Sequence, residues 1–418
     1  MTERLAIDGG EPVRKQPFPT WPVFGEPERA ALIRALDSGN WGKLAGREVV
    51  QFEQQFAAYQ GAKHGIGVVN GTVALRLALL AGGIEAGDEV IVPPYTFLAT
   101  ASAVVEANAV PVFADVQLDT FNMDPKAVEA AITPRTRAII VVHFGGLPVD
   151  MDAYCDIARR HKLLLIEDAA HAHGTEYRGR RVGAIGDIGT FSFQSSKNLS
   201  SGEGGLLVTN NDELAERCRT IHNCGRISGG LWYEHHTIGG NYRLGEFQGA
   251  VLNAQFQRLD EQTKTRDRNG RELAERLASL PGVVPQHRGE DCTRHSYHVF
   301  ALRLQPDVLK VSRERLLAAL TAEGIPISTG YGLPLCRQPL FMNRAFGPYT
   351  GYRASQPSLD YGKVSCPNCE RICSTEAAWL EHRLLLGTSQ DMDDIVRAFE
   401  KVVETRRVLQ IGHPIFVE

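Results

Sequence analysis

Residues 191–205 read FSFQSSKNLSSGEGG. A single lysine, Lys197, sits in a run of small polar residues between two apolar segments. Its neighbours are Ser195, Ser196, Asn198, Ser200 and Ser201, and Glu203 is the only nearby charge. Three readings are open from this window: a solvated loop lysine, a lysine that grips a phosphate, or an amine held deprotonated as a nucleophile that forms a Schiff base. The flanking runs, 188–193 and 205–208, have the length and character of buried strands. Between them, Gly202-Glu-Gly-Gly205 lets the backbone pass close to whatever the loop faces.

Working outward, the same kind of strand recurs at 89–92, 110–114, 138–143 and 163–167. Helical stretches lie between these strands at 100–107, 125–131 and 151–160. The strands are short and apolar throughout rather than alternating, which suits a sheet buried on both faces by crossover helices. Upstream, Asn70-Gly-Thr72 follows a strand-like 65–69 and opens an Ala/Leu-rich helix over 73–80, with a polar start that reads as an N-cap. Apolar residues at helical spacing also mark 26–60, after a Pro/Gly-rich, extended segment over 1–25. Residues 247–280 read as one long helix. Beyond Pro281 the character changes: YHVFALRL (297–304) alternates like a half-exposed strand, and helices are expected at 313–322 and 391–408. The expected organisation is an extended segment over 1–25, a large α/β domain over 26–260 with a mostly parallel sheet, and a smaller α+β domain over 261–418.

The bulk composition is that of ordinary globular material. Of the 418 residues, 43% are hydrophobic and 22% charged, and the net charge is −4, so no basic balance points to nucleic acid. The N-terminus is polar and lacks the apolar core of a signal peptide. The longest apolar runs are of strand length, too short to span a bilayer. A cytoplasmic protein without membrane or nucleic-acid partners is expected. The eight cysteines are then reduced thiols. Three of them, in CPNCERIC (Cys366, Cys369, Cys373), form a CxxC pair plus one, but no second CxxC exists, and no metal site is assigned.

Four features at strand ends carry chemistry, because open α/β sheets bind ligands beyond the C-terminal ends of their strands. Asn70-Gly-Thr72 opens a helix whose free N–H groups, with the Thr72 hydroxyl, can bind a phosphate; a plain helix cap is the bland alternative. Tyr95-Thr-Phe97 places aromatics after the strand EVIVPP, either to stack on a planar ring or to join the core. Asp168 closes the apolar strand in LLLIEDAAHAHG. A buried carboxylate there needs a partner, and the protonated ring nitrogen of pyridoxal phosphate is such a group, although Asp168 could also cap the next helix. His171 and His173 follow, at a spacing that matches no standard metal site. Finally, Ser192 and Lys197 offer a hydroxyl for a phosphate and an amine for an aldehyde across one strand-to-loop turn. The order along the chain is phosphate cradle, aromatic, Asp, then Ser and Lys. That order fits the aspartate-aminotransferase (fold type I) arrangement of pyridoxal 5'-phosphate enzymes.

The segments NGTVALRLAL, GDEVIVPPYTFLATASAV, VPVFADV, IEDAAHAHG, GDIGTFSFQSSKNLSSGEGG and GGNYRLGEFQGA carry a specific resemblance. Nearly the whole chain resembles the DegT/DnrJ/StrS aminotransferases, which aminate keto-sugars and cyclitols. The resemblance implies a seven-stranded, mostly parallel sheet in the large domain. It makes Lys197 the Schiff-base lysine and Asp168 the partner of the pyridine nitrogen. Ser192, Gly71 and Thr72 would hold the phosphate, Phe97 would stack on the ring, and His171, where many relatives carry Gln, would lie near O3′. Asn241 would reach the phosphate bound by the neighbouring subunit, which implies a homodimer with shared sites.

Two subgroups stand out. Glutamine:inosose aminotransferases share NYRLxEFQ. The 3-amino-5-hydroxybenzoate synthases share DAAHAHG, FSFQxxK, Cys224-Gly-Arg226 and LDEQ (259–262). The implied reaction is a ping-pong transfer from glutamine or glutamate to a keto-cyclitol or keto-sugar. The alternatives are a dehydratase or aromatising synthase on the same cofactor and, less favoured, a non-catalytic cofactor-binding regulator. Tyr331, His295, His298, Arg226 and His236 lie in segments that could line the substrate cleft.

Overall fold

The computed structural model describes residues 3–349 and 360–409; residues 1–2 of the expected N-terminal segment, and 350–359 and 410–418 of the expected C-terminal domain, lie outside them. The strands, in chain order, are β1 (His64–Val68), β2 (Glu89–Val92), β3 (Val110–Phe113), β4 (Thr136–Val142), β5 (Leu164–Asp168), β6 (Glu176–Tyr177), β7 (Arg180–Arg181), β8 (Ile188–Ser192), β9 (Gly205–Thr209), β10 (Val283–Pro285), β11 (Cys292–Arg294), β12 (Val299–Leu304) and β13 (Ala377–Glu381). Helices α1 (Glu26–Asp37), α2 (Glu48–Gln60), α3 (Gly71–Ala81), α4 (Ala99–Glu106), α5 (Pro125–Ala131), α6 (Met151–His161), α7 (Asp212–His222) and α8 (Glu246–Leu277) serve the large sheet.

That sheet has seven strands in the order β1-β9-β8-β5-β4-β2-β3. Only β9 runs against its neighbours; β8, β5, β4, β2 and β3 pair in parallel. The uniformly apolar strands have a simple cause. Their alternate residues serve two different cores. Val90, Val92, Ile140 and Ile166 pack on one side of the sheet with Leu75 and Ala103 of α3 and α4. Ile91, Ile139, Val141 and Leu165 pack on the other with Phe52, Phe56 and Ile157 of α2 and α6. Local chemistry sets the helix ends: the Asn70 side chain accepts from Val73 N at 2.9 Å to start α3, and Asp150 accepts from Ala153 N at 3.1 Å to start α6.

A three-stranded antiparallel sheet, β10-β12-β13, forms the smaller unit with the helices Arg313–Ala322 and Ser389–Glu404. The extended N-terminal segment belongs to it spatially, because Leu5 and Phe18 join its core beside Leu302 and Met392. The helix α8 runs unbroken past residue 260. Leu252 and Leu259 pack in the large domain, whereas Leu273 and Leu277 pack in the small one. Among the described residues, no helix is long and apolar enough to cross a membrane.

One strand differs from its sequence pattern. The alternation in 297–304 suggests a half-exposed strand, yet all six residues of β12 are buried. It is the central strand of its sheet, and its one charge is neutralised: Arg303 Nη1 donates to Glu376 Oε2 at 2.7 Å, and Arg371 Nε donates to the other carboxylate oxygen at 2.7 Å. Cys366, Cys369 and Cys373 are buried in the core, where Cys336 joins them, and all eight cysteines are free thiols. Removing the carboxylate in Glu376→Ala leaves Arg303 as an uncompensated buried cation. A loss of about 3 kcal/mol in unfolding free energy is expected, read by urea denaturation.

Candidate active site

The parallel strands β2, β4, β5 and β8 end along one edge of the sheet, and α3 begins beside them. A cavity of about 450 Å³ opens there, lined by Gly71, Thr72, Phe97, Asp168, His171, Ser192 and Lys197. Seven of the residues singled out from the sequence are thus brought to one place. Asn241 is the exception: it is exposed and forms an isolated bridge with Asn223 rather than lining the cavity.

Asp168 is 5% exposed at the last position of β5. Thr100 Oγ1 donates to its Oδ2 at 2.9 Å, and Ala170 N donates to its Oδ1 at 3.2 Å. Burial raises its pKa; the Thr100 and Ala170 hydrogen bonds and the Lys197 charge offset this only in part. Thr100 was not singled out by sequence. It lies one helical turn beyond Thr96, whose hydroxyl is 3.0 Å away, and only the packing of α4 on the sheet brings it to the carboxylate.

Lys197 answers Asp168 across the cavity. Burial pushes its ammonium down to about 8, and the Asp168 carboxylate opposes that fall. Lys197 is half-buried and lines the cavity rather than standing free in solvent. An amine so depressed has a far larger free-base fraction near neutral pH than an ordinary lysine.

Gly71 and Thr72 occupy the first turn of α3, where backbone N–H groups have no acceptor four residues back. Ser192 stands against them. A Cβ on Gly71 would lie 2.8 Å from Ser192 Cβ, and one on Gly205 only 2.3 Å from Asn70 O. The two glycines therefore let the start of β9, the end of β8 and the head of α3 close into one anion cradle. Of the two aromatics after β2, Tyr95 is core, 1% exposed, while Phe97 is 61% exposed at the cavity. An aromatic ring left so open at a buried acid–amine pair offers a stacking face.

His171 packs against His298, with ring centroids 4.2 Å apart and the planes tilted by 35°. Its Nδ1 accepts from Gly145 N at 3.4 Å, which assigns the proton of the neutral ring to Nε2. Burial, then the Lys197 charge, holds its pKa well below the usual histidine value. Of the cleft candidates, His298 reaches the site through His171. Tyr331 packs on Tyr95 and Trp379, near enough to Asp168 for that carboxylate to help raise its pKa after burial. His295 is buried, stacked 3.7 Å from Tyr297. Arg226 is half-buried and His236 exposed, and the segment around them bares Leu231, Trp232, Tyr233 and Ile238. Among the described residues, no group of three or more His, Cys, Asp or Glu is arranged to hold a metal ion.

Residues 23–398 match the DegT/DnrJ/EryC1/StrS aminotransferase family. The chain belongs to this family. An L-glutamine:2-deoxy-scyllo-inosose aminotransferase of Streptoalloteichus tenebrarius is 41% identical over 424 residues, covering 96% of this chain and 98% of that protein. A 3-amino-5-hydroxybenzoate synthase of Amycolatopsis mediterranei is 40% identical over 383 residues, covering 91% and 96%. The crystal structure of a 3-amino-5-hydroxybenzoic acid synthase superposes with a TM-score of 0.84 at 37% identity, covering 94% of this chain and all (100%) of that one. The DegT-family fold is the fold-type-I architecture expected from the order of site residues.

A free amine reacts with aldehydes and an ammonium does not. The rate at which a small aldehyde with cyanoborohydride traps Lys197 is therefore expected to rise with pH through about 8. Asp168 holds that midpoint up, so Asp168→Ala should move it down. An unchanged midpoint would show that the two groups are uncoupled.

Proposed function

We propose that this aminotransferase holds pyridoxal 5'-phosphate through Lys197 and transfers the amino group of glutamine or glutamate to the ketone of a keto-cyclitol or keto-sugar. The observation that carries the reading is the depressed amine of Lys197 facing the buried carboxylate of Asp168 in a cavity closed by the head of α3. The donor set fits the cofactor. The α3 N–H groups of Gly71 and Thr72 with the Ser192 hydroxyl suit its phosphate, Phe97 its ring face, Nε2–H of His171 its O3′ and Asp168 its ring nitrogen. When bound, the cofactor supplies an electron sink for the electrons left when the donor's Cα–H bond breaks.

The chain's own groups do the rest. Lys197 Nζ, with a pKa near 8, takes a proton at neutral pH and returns it, serving as base and then acid. Asp168, held by Thr100 and Ala170, stays in place to keep a protonated nitrogen opposite it. Donor and acceptor use the same cavity in turn, so the oxo acid leaves before the ketone enters. The likeness to glutamine:inosose aminotransferases supports glutamine and a cyclitol ketone over other pairs. We read the molecule as a cytoplasmic homodimer, in which the exposed Asn241 and the bared apolar segment of one subunit complete the partner's site.

The likeness to 3-amino-5-hydroxybenzoate synthases supports a second reading, dehydration with aromatisation on the same cofactor. Products separate the two, because a transaminase converts one donor to its oxo acid for each ketone aminated. The purified protein is expected to be yellow and to lose that colour with L-glutamine, regaining it with a keto-cyclitol. Lys197→Ala should lose at least ~10⁴-fold in turnover; a variant that still transaminates would refute the assignment. If sites are shared, mixing inactive Lys197→Ala with inactive Asn241→Ala should restore about a quarter of wild-type activity through mixed dimers. No recovery would refute the shared site.

A further inference from the structure

The loop that carries Lys197 is held from behind by three residues that come from distant parts of the chain. Trp21, in the N-terminal segment, donates Nε1–H to Ser195 O at 3.0 Å. His382, after β13, lies with Nε2 3.0 Å from Ser196 O. These are consecutive carbonyls immediately before Lys197. The two rings meet edge to face, with centroids 4.7 Å apart. Behind both lies Arg266 of α8. Its Nη2 is 3.2 Å from His382 Nδ1, and its guanidinium carbon is 5.2 Å from the centre of the Trp21 ring.

Arg266 is fully buried, its Nε and Nη1 have no partner, and among the described residues no carboxylate pairs with it. Burial alone lowers its pKa to about 9, which leaves it charged at neutral pH. An uncompensated buried cation is expensive, and an apolar side chain of the same volume would cost less. Its position explains what it does. Arginine can only donate, so His382 Nδ1 must accept. The proton of the neutral imidazole is then confined to Nε2, the atom that faces Ser196 O. Burial, then the Arg266 charge, keeps His382 from taking a second proton. The same cation lies against the Trp21 ring that holds Ser195. On the far side of Lys197, Asn198 is fixed in turn: its Nδ2 donates to Ser296 O at 2.8 Å, and its Oδ1 accepts from His298 Nδ1 at 3.2 Å.

We propose that Arg266, His382 and Trp21 form a positioning unit for Lys197. Arg266 selects the His382 tautomer and orients Trp21, and the two donors fix the carbonyls of Ser195 and Ser196, which sets how deeply the lysine amine is withdrawn from water. The inference builds on the reading of Lys197 as the cofactor-bearing amine, but its test does not require the cofactor. The titratable groups that line the cavity with the Lys197 amine are Asp168, His171 and Glu203, and none of them belongs to the positioning unit.

Trace acetylation of the cofactor-free protein, with the Lys197 peptide quantified by mass spectrometry across pH, reads the amine's midpoint directly. Arg266→Met should raise that midpoint by about one pH unit, slowing labelling about tenfold at neutral pH. Trp21→Phe, which removes one donor and keeps an aromatic ring, should shift it less and in the same direction. Arg266→Lys keeps a donor-only cation, and His382→Gln keeps both an N–H and an acceptor; both should retain the wild-type midpoint. His382→Phe should behave as Arg266→Met does. A folded Arg266→Met protein with lowered thermal stability but an unmoved midpoint would overturn the proposal. Should Arg266→Met fail to fold, equal midpoints for His382→Gln and His382→Phe would overturn it instead. Uptake of pyridoxal phosphate by the wild type is scored separately. If none occurs, the reading of the site falls, while the positioning unit is judged by the acetylation midpoints.

Discussion

A carboxylate buried at the end of a central strand is the constraint on which this structure turns. Strand β5 carries two, and its pleat sends them to opposite faces. Glu167 is satisfied structurally. It accepts from Gly183 N at 2.6 Å, Ile185 N at 2.8 Å and Gly186 N at 2.6 Å, with His143 Nε2 at 3.0 Å. Burial would raise its pKa, but these donors more than offset that, and the net shift is downward. Asp168 faces the other way with only two donors. Its pKa stays raised, so it still calls for a positive partner. The fold thus spends one carboxylate on locking a loop and leaves its neighbour under-satisfied where a cation can meet it.

Lys197 meets that demand from a loop whose own hold is remote. The turn after β8 has little regular structure, and its carbonyls are fixed by Trp21 and His382 rather than by sheet pairing. The N-terminal segment, the long helix α8 and the small sheet therefore act on the amine without lining the cavity. The same helix packs in both cores, so the two cores share one continuous element. Catalytic loops of this kind borrow their precision from rigid neighbours.

Much of this was legible in the sequence. The short apolar strands, the Asn70 cap and the glycine turns are local signals, and local signals survive without knowledge of the fold. The bounds of the expected strands fell within two residues of those observed, because the apolar runs end where the sheet ends, whereas β6, β7, β10, β11 and β13 were not expected. The β12 alternation misled for a tertiary reason: Glu376, more than seventy residues on, neutralises Arg303 and permits its burial. Thr100 at Asp168 was likewise invisible, since a threonine in a helix carries no mark of what its hydroxyl will face.

The sequence by itself determined the alternation of strands and helices, the family and the placing of Asp168 and Lys197 at strand ends. Those depend on residue type, spacing and strand-end position, all of which are properties of the linear chain. The tertiary structure alone decided that Tyr95 is core and Phe97 open, that Cys336 joins the CPNCERIC thiols, and that Arg266 stands behind the lysine loop. Each of those is a statement about which distant groups remove one another from water. Desolvation sets the Lys197 pKa near 8 and leaves Arg266 an unpaired cation, and it exists only once the chain has closed around them.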